Sequence, residues 1–129
     1  MTPLEQPIVS VIIATYNGAK TLPFTLRTVL NQSLKELEVL VIGDGCTDDT
    51  GSIVEELGDP RVHWVNLPTN SGAQPAPNNE GLRRALGKFV AYCGHDDLWF
   101  PDHLQSLVAF VESRDLEFSY SFTASITPS

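Results

Sequence analysis

The chain has 129 residues, 42% of them hydrophobic, and a formal net charge of −8. That length supports one domain with a single core. The acidic balance excludes nucleic acid as the main partner, because phosphate binding rests on lysine and arginine.

Residues 1–7 hold two prolines and no periodicity, and read as a lead-in. A first strand is predicted over Ile8–Ala14, where the apolar run is too continuous for a half-exposed strand and fits a buried parallel one. Leu22, Leu26, Val29 and Leu30 then recur at helical spacing, with Thr21 as the cap and Pro23 in the first turn. Leu37–Ile42 is a second buried strand. It leads into a short helix with Ile53, Val54 and Leu57 inward and Gly58 as its stop. Arg61–Leu67 alternates less cleanly, as a strand near a sheet edge would. Pro68 to Pro77 reads as a long loop. A third helix is predicted to turn Leu82, Ala85 and Leu86 inward and to end at Gly87. Phe89–Cys93 is a fourth strand, and Pro101 opens a helix whose buried stripe is Leu104, Leu107, Val108 and Val111. Leu116, Phe118, Tyr120 and Phe122 alternate with polar residues, the period of a fifth strand with one wet face. Repeated β-α units imply right-handed crossovers and helices on both faces of a mostly parallel sheet. The expected strand order is 3-2-1-4, with the fifth strand beside the fourth.

No run approaches the ~20 apolar residues of a membrane span, and the amino terminus lacks a basic-then-apolar leader, so a soluble, cytoplasm-facing protein is expected. Cys46 and Cys93 each end a strand. Two cysteines are too few for a disulfide scaffold, and two reduced, partly buried thiols are the favoured reading over a pair joined between neighbouring strands.

Three of the strands end in short polar clusters: Thr15-Tyr16-Asn17, Gly43-Asp44-Gly45-Cys46-Thr47-Asp48 and Gly94-His95-Asp96-Asp97. In an open α/β sheet, ligands bind beyond the carboxyl ends of the strands, where the order reverses. Here that point falls between strands one and four. Asp96 and Asp97 repel each other unless a cation sits beside them. Magnesium or manganese would fit, since these ions take one or two carboxylates together with waters and substrate phosphates. One Asp would then bind the metal, and the other would orient a sugar hydroxyl or a metal-bound water. The competing role, a turn that caps the helix opening at Pro101, is equally common for Asp-Asp in isolation. Position after a buried strand favours the first.

Asp44 lies between glycines that allow close approach of a base or ribose, and its carboxylate can accept from a ring N–H or a ribose hydroxyl. Asp48 and Asp49 read as caps of the next helix. Thr15, Tyr16 and Asn17 can hydrogen-bond a base, with the Tyr16 ring as a stacking face. His95 is either a metal ligand or, more commonly for one histidine in a polar turn, solvated or bonded to backbone. His63 and His103 read as structural. Arg83 or Arg84 would reach a diphosphate only if not merely solvating their helix. Dinucleotide-dehydrogenase, P-loop and Gly-x-Ser-x-Gly hydrolase signatures are absent.

The blocks Val9-Ser-Val-Ile-Ile-Ala-Thr-Tyr-Asn17, Val41-Ile-Gly-Asp-Gly-Cys-Thr-Asp48 and Gly94-His-Asp-Asp-Leu-Trp-Phe-Pro-Asp102 resemble the family 2 glycosyltransferases. So do Asn70-Ser-Gly72 and Asn79-Glu-Gly81, and all stand in order from about Pro7 to Val111. These are inverting enzymes of the GT-A fold, a Rossmann-like architecture. The resemblance implies that Thr15, Tyr16, Asn17, Asp44, Asn79 and Asp96 hold a nucleotide-sugar donor, often linked to uridine diphosphate. It implies that Asp96 and Asp97 hold ribose and the metal–diphosphate, with Mn2+ or Mg2+ as cofactor. Three positions depart from the family pattern: Gly94 stands where the first acid of Asp-x-Asp is usual, Gly43 where another acid is common, and Asn78 where an arginine is.

The function expected from these residues is donor binding and inverting sugar transfer to a saccharide, lipid or protein acceptor. Residues 1–129 would form one nucleotide-sugar-binding domain that stops before an acceptor-binding half, with the general base beyond it. A longer form would then work at the cytoplasmic membrane face, and an uncovered fifth strand would promote self-association. A non-catalytic nucleotide-sugar-binding module is the alternative. A phospho-acceptor signalling domain is disfavoured, because it needs acids where Thr15-Tyr16-Asn17 stand.

Overall fold

The apolar runs that end in polar clusters form the middle of a four-stranded, wholly parallel sheet. The computed structural model describes residues 6–127, so most of the predicted lead-in lies outside the described residues. The order of elements is β1 (Val9–Thr15), α1 (Leu22–Leu30), β2 (Leu37–Gly43), α2 (Thr50–Glu56), β3 (Val62–Asn66), α3 (Pro75–Arg84), β4 (Phe89–Tyr92) and α4 (His103–Arg114). The strands lie in the order β3-β2-β1-β4. In register, Thr15 pairs with Gly43, Gly43 with Asn66 and Ile12 with Tyr92, so the polar clusters emerge at one end of the sheet.

Successive residues of a strand face opposite sides, and both sides of β1 and β2 are covered. Val9, Val11 and Ile13 join Leu37, Val39 and Val41 in a core closed by Leu22, Leu26 and Val29 of α1, Val54 of α2 and Leu104 of α4. Ile12, Leu40 and Ile42 face the other way, where Gly81 of α3 packs on Ile12. Each such side chain, fully buried, stabilises the fold by about 1.5–3 kcal/mol before chain entropy is counted. No helix among the described residues is long and apolar enough to cross a membrane.

Helix α3 departs from its predicted packing. Its buried residues are Pro77 and Gly81, whereas Leu82 and Leu86 are 43% and 62% exposed. A Cβ on Gly81 would stand 2.6 Å from the Ile12 side chain, so this helix approaches the sheet through its small residues. The helix also begins at Pro75, shortening the predicted loop. In α2, Val54 is buried but Leu57 is exposed.

The predicted fifth strand is absent from the described sheet. Residues 116–122 run without a ladder partner, and Glu117–Tyr120 stand across a groove of about 590 Å³ from β4 and α4. The alternation is there, but nothing covers its apolar side: Phe118, Tyr120 and Phe122 are 75% or more exposed.

Candidate functional site

Where β1 runs out, the chain is tied to its neighbour. The Asp44 amide donates to the Thr15 carbonyl at 2.8 Å. Asn17 takes the left-handed conformation, φ 50°, which asparagine tolerates better than most residues. Its Oδ1 accepts from the Thr47 and Asp48 amides at 2.9 and 3.2 Å, and its Nδ2 donates to Thr47 Oγ1 at 3.3 Å. The Asn17 amide group is thus spent on joining the β1 and β2 loops.

Asp44 is almost wholly buried, a costly place for a carboxylate unless its oxygens are hydrogen-bonded. Oδ1 accepts from the Ser71 amide at 3.1 Å; Oδ2 accepts from Ser71 Oγ at 2.9 Å and Asn70 Nδ2 at 3.3 Å. Asn70 Nδ2 also reaches the Asp44 carbonyl at 2.9 Å. Asp44 therefore organises the loop before α3 as well as bordering the cleft. Gly45, at φ +72°, does permit a close backbone approach, but the approaching group is the chain's own Thr69–Asn70 segment. Asp48 serves the next helix, accepting from the Thr50 amide and hydroxyl. Burial pushes its carboxyl up, but the Thr50 hydrogen bonds together with backbone N–H groups outweigh that and hold it below the usual value.

Beyond β4 the chain makes a tight turn. The Asp97 amide donates to the Gly94 carbonyl at 3.1 Å, and Asp97 Oδ2 accepts from the Gly94 amide at 3.1 Å. A Cβ on residue 94 would stand 2.7 Å from Asp97 Oδ2 and 3.3 Å from Asp96 Oδ1. The absent side chain is therefore what lets both carboxylates crowd one spot. Between them and β1, His95 Nδ1 lies 2.7 Å from Thr15 Oγ1. The Cys93 thiol beneath is pushed up to about 12, by burial first and then by the charges of Asp97 and Asp96. Both cysteines are free.

Helix α1 braces this loop from behind. Thr21, at the cap position, makes no capping bond; its hydroxyl donates to the His95 carbonyl at 2.9 Å. Thr28 Oγ1 accepts from the Trp99 amide at 3.2 Å. The buried Gln32 donates to the Phe100 carbonyl at 2.7 Å and accepts from the Leu104 amide at 3.0 Å.

The three loops enclose a cleft of about 420 Å³, bordered by Thr15, Tyr16, Asp44, Asn70, His95 and Asp96, with Gln74 and Pro77 at its α3 side. Of the residues singled out from sequence, Asn17, Asn79 and Asp97 are not on its wall. Asn70, Ser71 and Gln32 had been given no role. Asn70-Ser-Gly72 stood among the resembling blocks, but their partner is 26–27 residues away, and Gln32 gave no signal at all.

No lysine or arginine borders the cleft. Arg83 and Arg84 pair instead with Glu80 on α3, at 2.6 and 2.9 Å. Among the described residues no three His, Cys, Asp or Glu side chains group as a complete metal cage. The Asp96 and Asp97 oxygens crowding Gly94 fit a hard cation that takes its other ligands from water and a substrate diphosphate.

A family model, glycosyl transferase family 2, matches residues 10–126. A putative teichuronic acid biosynthesis glycosyltransferase, TuaG of Bacillus subtilis, is 37% identical over 118 residues, covering 90% of this chain and 46% of that protein. Among solved structures, S. aureus TarS in complex with UDP superposes with a TM-score of 0.78 at 34% identity, covering 83% of this chain and 32% of that one. The mannosyltransferase PcManGT from Pyrobaculum calidifontis, in complex with GDP-Man and Mn2+, gives 0.75 at 30% identity, covering 82% and 32%. The chain spans less than half the length of the relatives it matches.

Proposed function

The chain belongs to glycosyl transferase family 2, and from that premise we propose that it is the donor-binding part of an inverting glycosyltransferase using a UDP-linked sugar and a divalent metal. The observation that carries this reading is the convergence of the β1, β2 and β4 loops on one cleft at the switch point between β1 and β4. UDP and UDP-GlcNAc complexes of TarS and the Mn2+ complex of PcManGT support the ligand class.

In this reading Tyr16, half-exposed on the cleft wall, offers its ring to the base. Thr15 and Asp44 shape the nucleoside end, Asp44 through the Asn70-Ser71 loop that it fixes. Asp96 and Asp97 hold the ion, whose charge stabilises the leaving diphosphate when bound. No lysine or arginine on the wall duplicates that role. Inverting transfer also needs a base within about 2.6–3.2 Å of the acceptor hydroxyl. The acids on the wall are Asp44, already hydrogen-bonded on both oxygens, and Asp96, committed to the ion. We therefore assign the base to an acceptor-binding half of a longer protein, consistent with relatives about twice this length.

Calorimetric titration with UDP and GDP, with and without manganese, tests the reading. Manganese-dependent binding of UDP is expected; no binding of either nucleotide under any condition refutes it. One observation favours a second reading, a binding module without turnover: Gly94 leaves the ion with two carboxylates. Donor binding without transfer or hydrolysis in the longest natural form would select it.

A further inference from the structure

Resting on the donor-binding reading, we propose that His95 is a diphosphate contact, its imidazole held by Thr15 so that the Nε2 N–H meets a phosphate oxygen of the donor. Four observations point this way. His95 borders the cleft and is tied down at both ends: its carbonyl accepts from Thr21 Oγ1, and its Nδ1 lies 2.7 Å from Thr15 Oγ1. The Thr15 hydroxyl is buried and has no other partner among the described residues. Donation to Nδ1 is the arrangement that gives this buried hydroxyl proton a partner, and it leaves the ring proton on Nε2.

Residue 18 is built around this bond. A Cβ there would stand 2.3 Å from Thr15 Oγ1 and 2.7 Å from His95 Nδ1. Any larger residue would push the pair apart, so the sequence Thr15-Tyr16-Asn17-Gly18 accommodates the imidazole. Nε2 itself has no protein partner among the described residues.

The charge distribution selects the ligand. An anion entering this cleft meets no lysine or arginine. His95 is not grouped with Asp96 and Asp97 as a three-ligand metal site. A fixed N–H donor is then an uncharged group on the β4 loop suited to a phosphate oxygen, and hydrogen bonds to charged acceptors are the strong ones. The contact needs only a neutral ring.

The test compares wild type, His95→Ala and His95→Gln in titrations with uridine and UDP, and with guanosine and GDP, with and without manganese. All titrations are made at one pH. His95→Ala should weaken nucleoside diphosphate binding about tenfold or more, leave nucleoside binding within about twofold, and do so with or without manganese. His95→Gln, which keeps an N–H donor, should recover part of the loss and carries the test if the alanine variant does not fold. Equal losses for nucleoside and diphosphate, or a loss seen only with manganese, would overturn the inference, as would no loss at all. A wild-type chain that binds no nucleotide would remove the donor-binding reading and this contact with it.

Discussion

Replacing Gln32 by leucine should destabilise the fold and loosen the acidic loop together. Gln32 is fully buried at the end of α1. Its Nε2 donates to the carbonyls of Thr28 and Phe100, at 3.1 and 2.7 Å, and its Oε1 accepts from the Leu104 amide at 3.0 Å. Leucine fills most of the same volume, so little cavity forms, but the Leu104 amide loses its partner, whereas the Phe100 carbonyl still accepts from the His103 amide at 3.1 Å. A buried backbone group left unpaired costs about 1–3 kcal/mol, which is the expected loss. Against a total of about 5–15 kcal/mol for a domain of this kind, that is a large fraction. Urea denaturation should show the midpoint falling with an unchanged slope, and Tm should drop by about 4–12 °C. Manganese-dependent UDP affinity should fall as well, since Phe100 and Leu104 anchor the downstream end of the loop that carries Asp96 and Asp97. A loss below about 1 kcal/mol would mean that water replaces the side chain at the Leu104 amide and would refute the reasoning.

Three further outcomes are expected. Asp97→Asn should remove most of the manganese dependence of UDP binding, whereas Asp44→Asn should weaken binding with and without the ion by freeing Asn70 and Ser71; equal affinity for both variants with no manganese effect would sink this division of roles. Native labelling at about pH 8 should modify Cys46 slowly and Cys93 only after denaturation, because burial raises both thiols and takes Cys93 to about 12. Glu38→Leu should cost about 2–4 kcal/mol in denaturant titrations by stranding the Leu86 amide and Ser10 hydroxyl, which donate to Glu38 Oε1 at 2.7 and 2.6 Å. Uridine affinity should stay unchanged in that variant, since the 420 Å³ cleft does not include Glu38.

The strands and their order were legible because a parallel strand buried on both faces must be written as an unbroken apolar run, as Val9–Thr15 and Leu37–Gly43 are. Helix α3 was misread for a related reason. Periodicity was sought in its leucines, yet the contact with Ile12 is made by Gly81, and close approach needs a missing side chain. The spacing of Pro77 and Gly81, one turn apart, was the available signal. The fifth strand failed because alternation records only which residues avoid water. It does not say that a partner strand lies alongside. At the site, sequence placed Thr15, Tyr16, Asp44 and Asp96 near one another, and all four border the cleft. Asn17 was read as a base contact, but its amide joins two loops, a pairing with residues 30 and 31 positions away that local pattern does not encode.

The departure at Gly94 follows from how the loop after β4 is folded. A side chain at 94 would collide with Asp97 Oδ2, which here turns back onto the Gly94 amide. Losing one carboxylate removes a negative charge from a cleft that holds no lysine or arginine, and this reduces the repulsion met by an incoming diphosphate. It also removes a candidate ligand, so under the proposed function an ion held there would depend more on the substrate's own oxygens. Metal and donor should then bind with strong mutual dependence: each supplies part of the other's site, and by linkage the enhancement must be equal in both directions. Manganese titrated alone should bind weakly, and the factor by which UDP tightens it should match the factor by which manganese tightens UDP. Tight manganese binding in the absence of nucleotide would show that Asp96 and Asp97 suffice without the diphosphate, and would contradict this account of why residue 94 can be glycine.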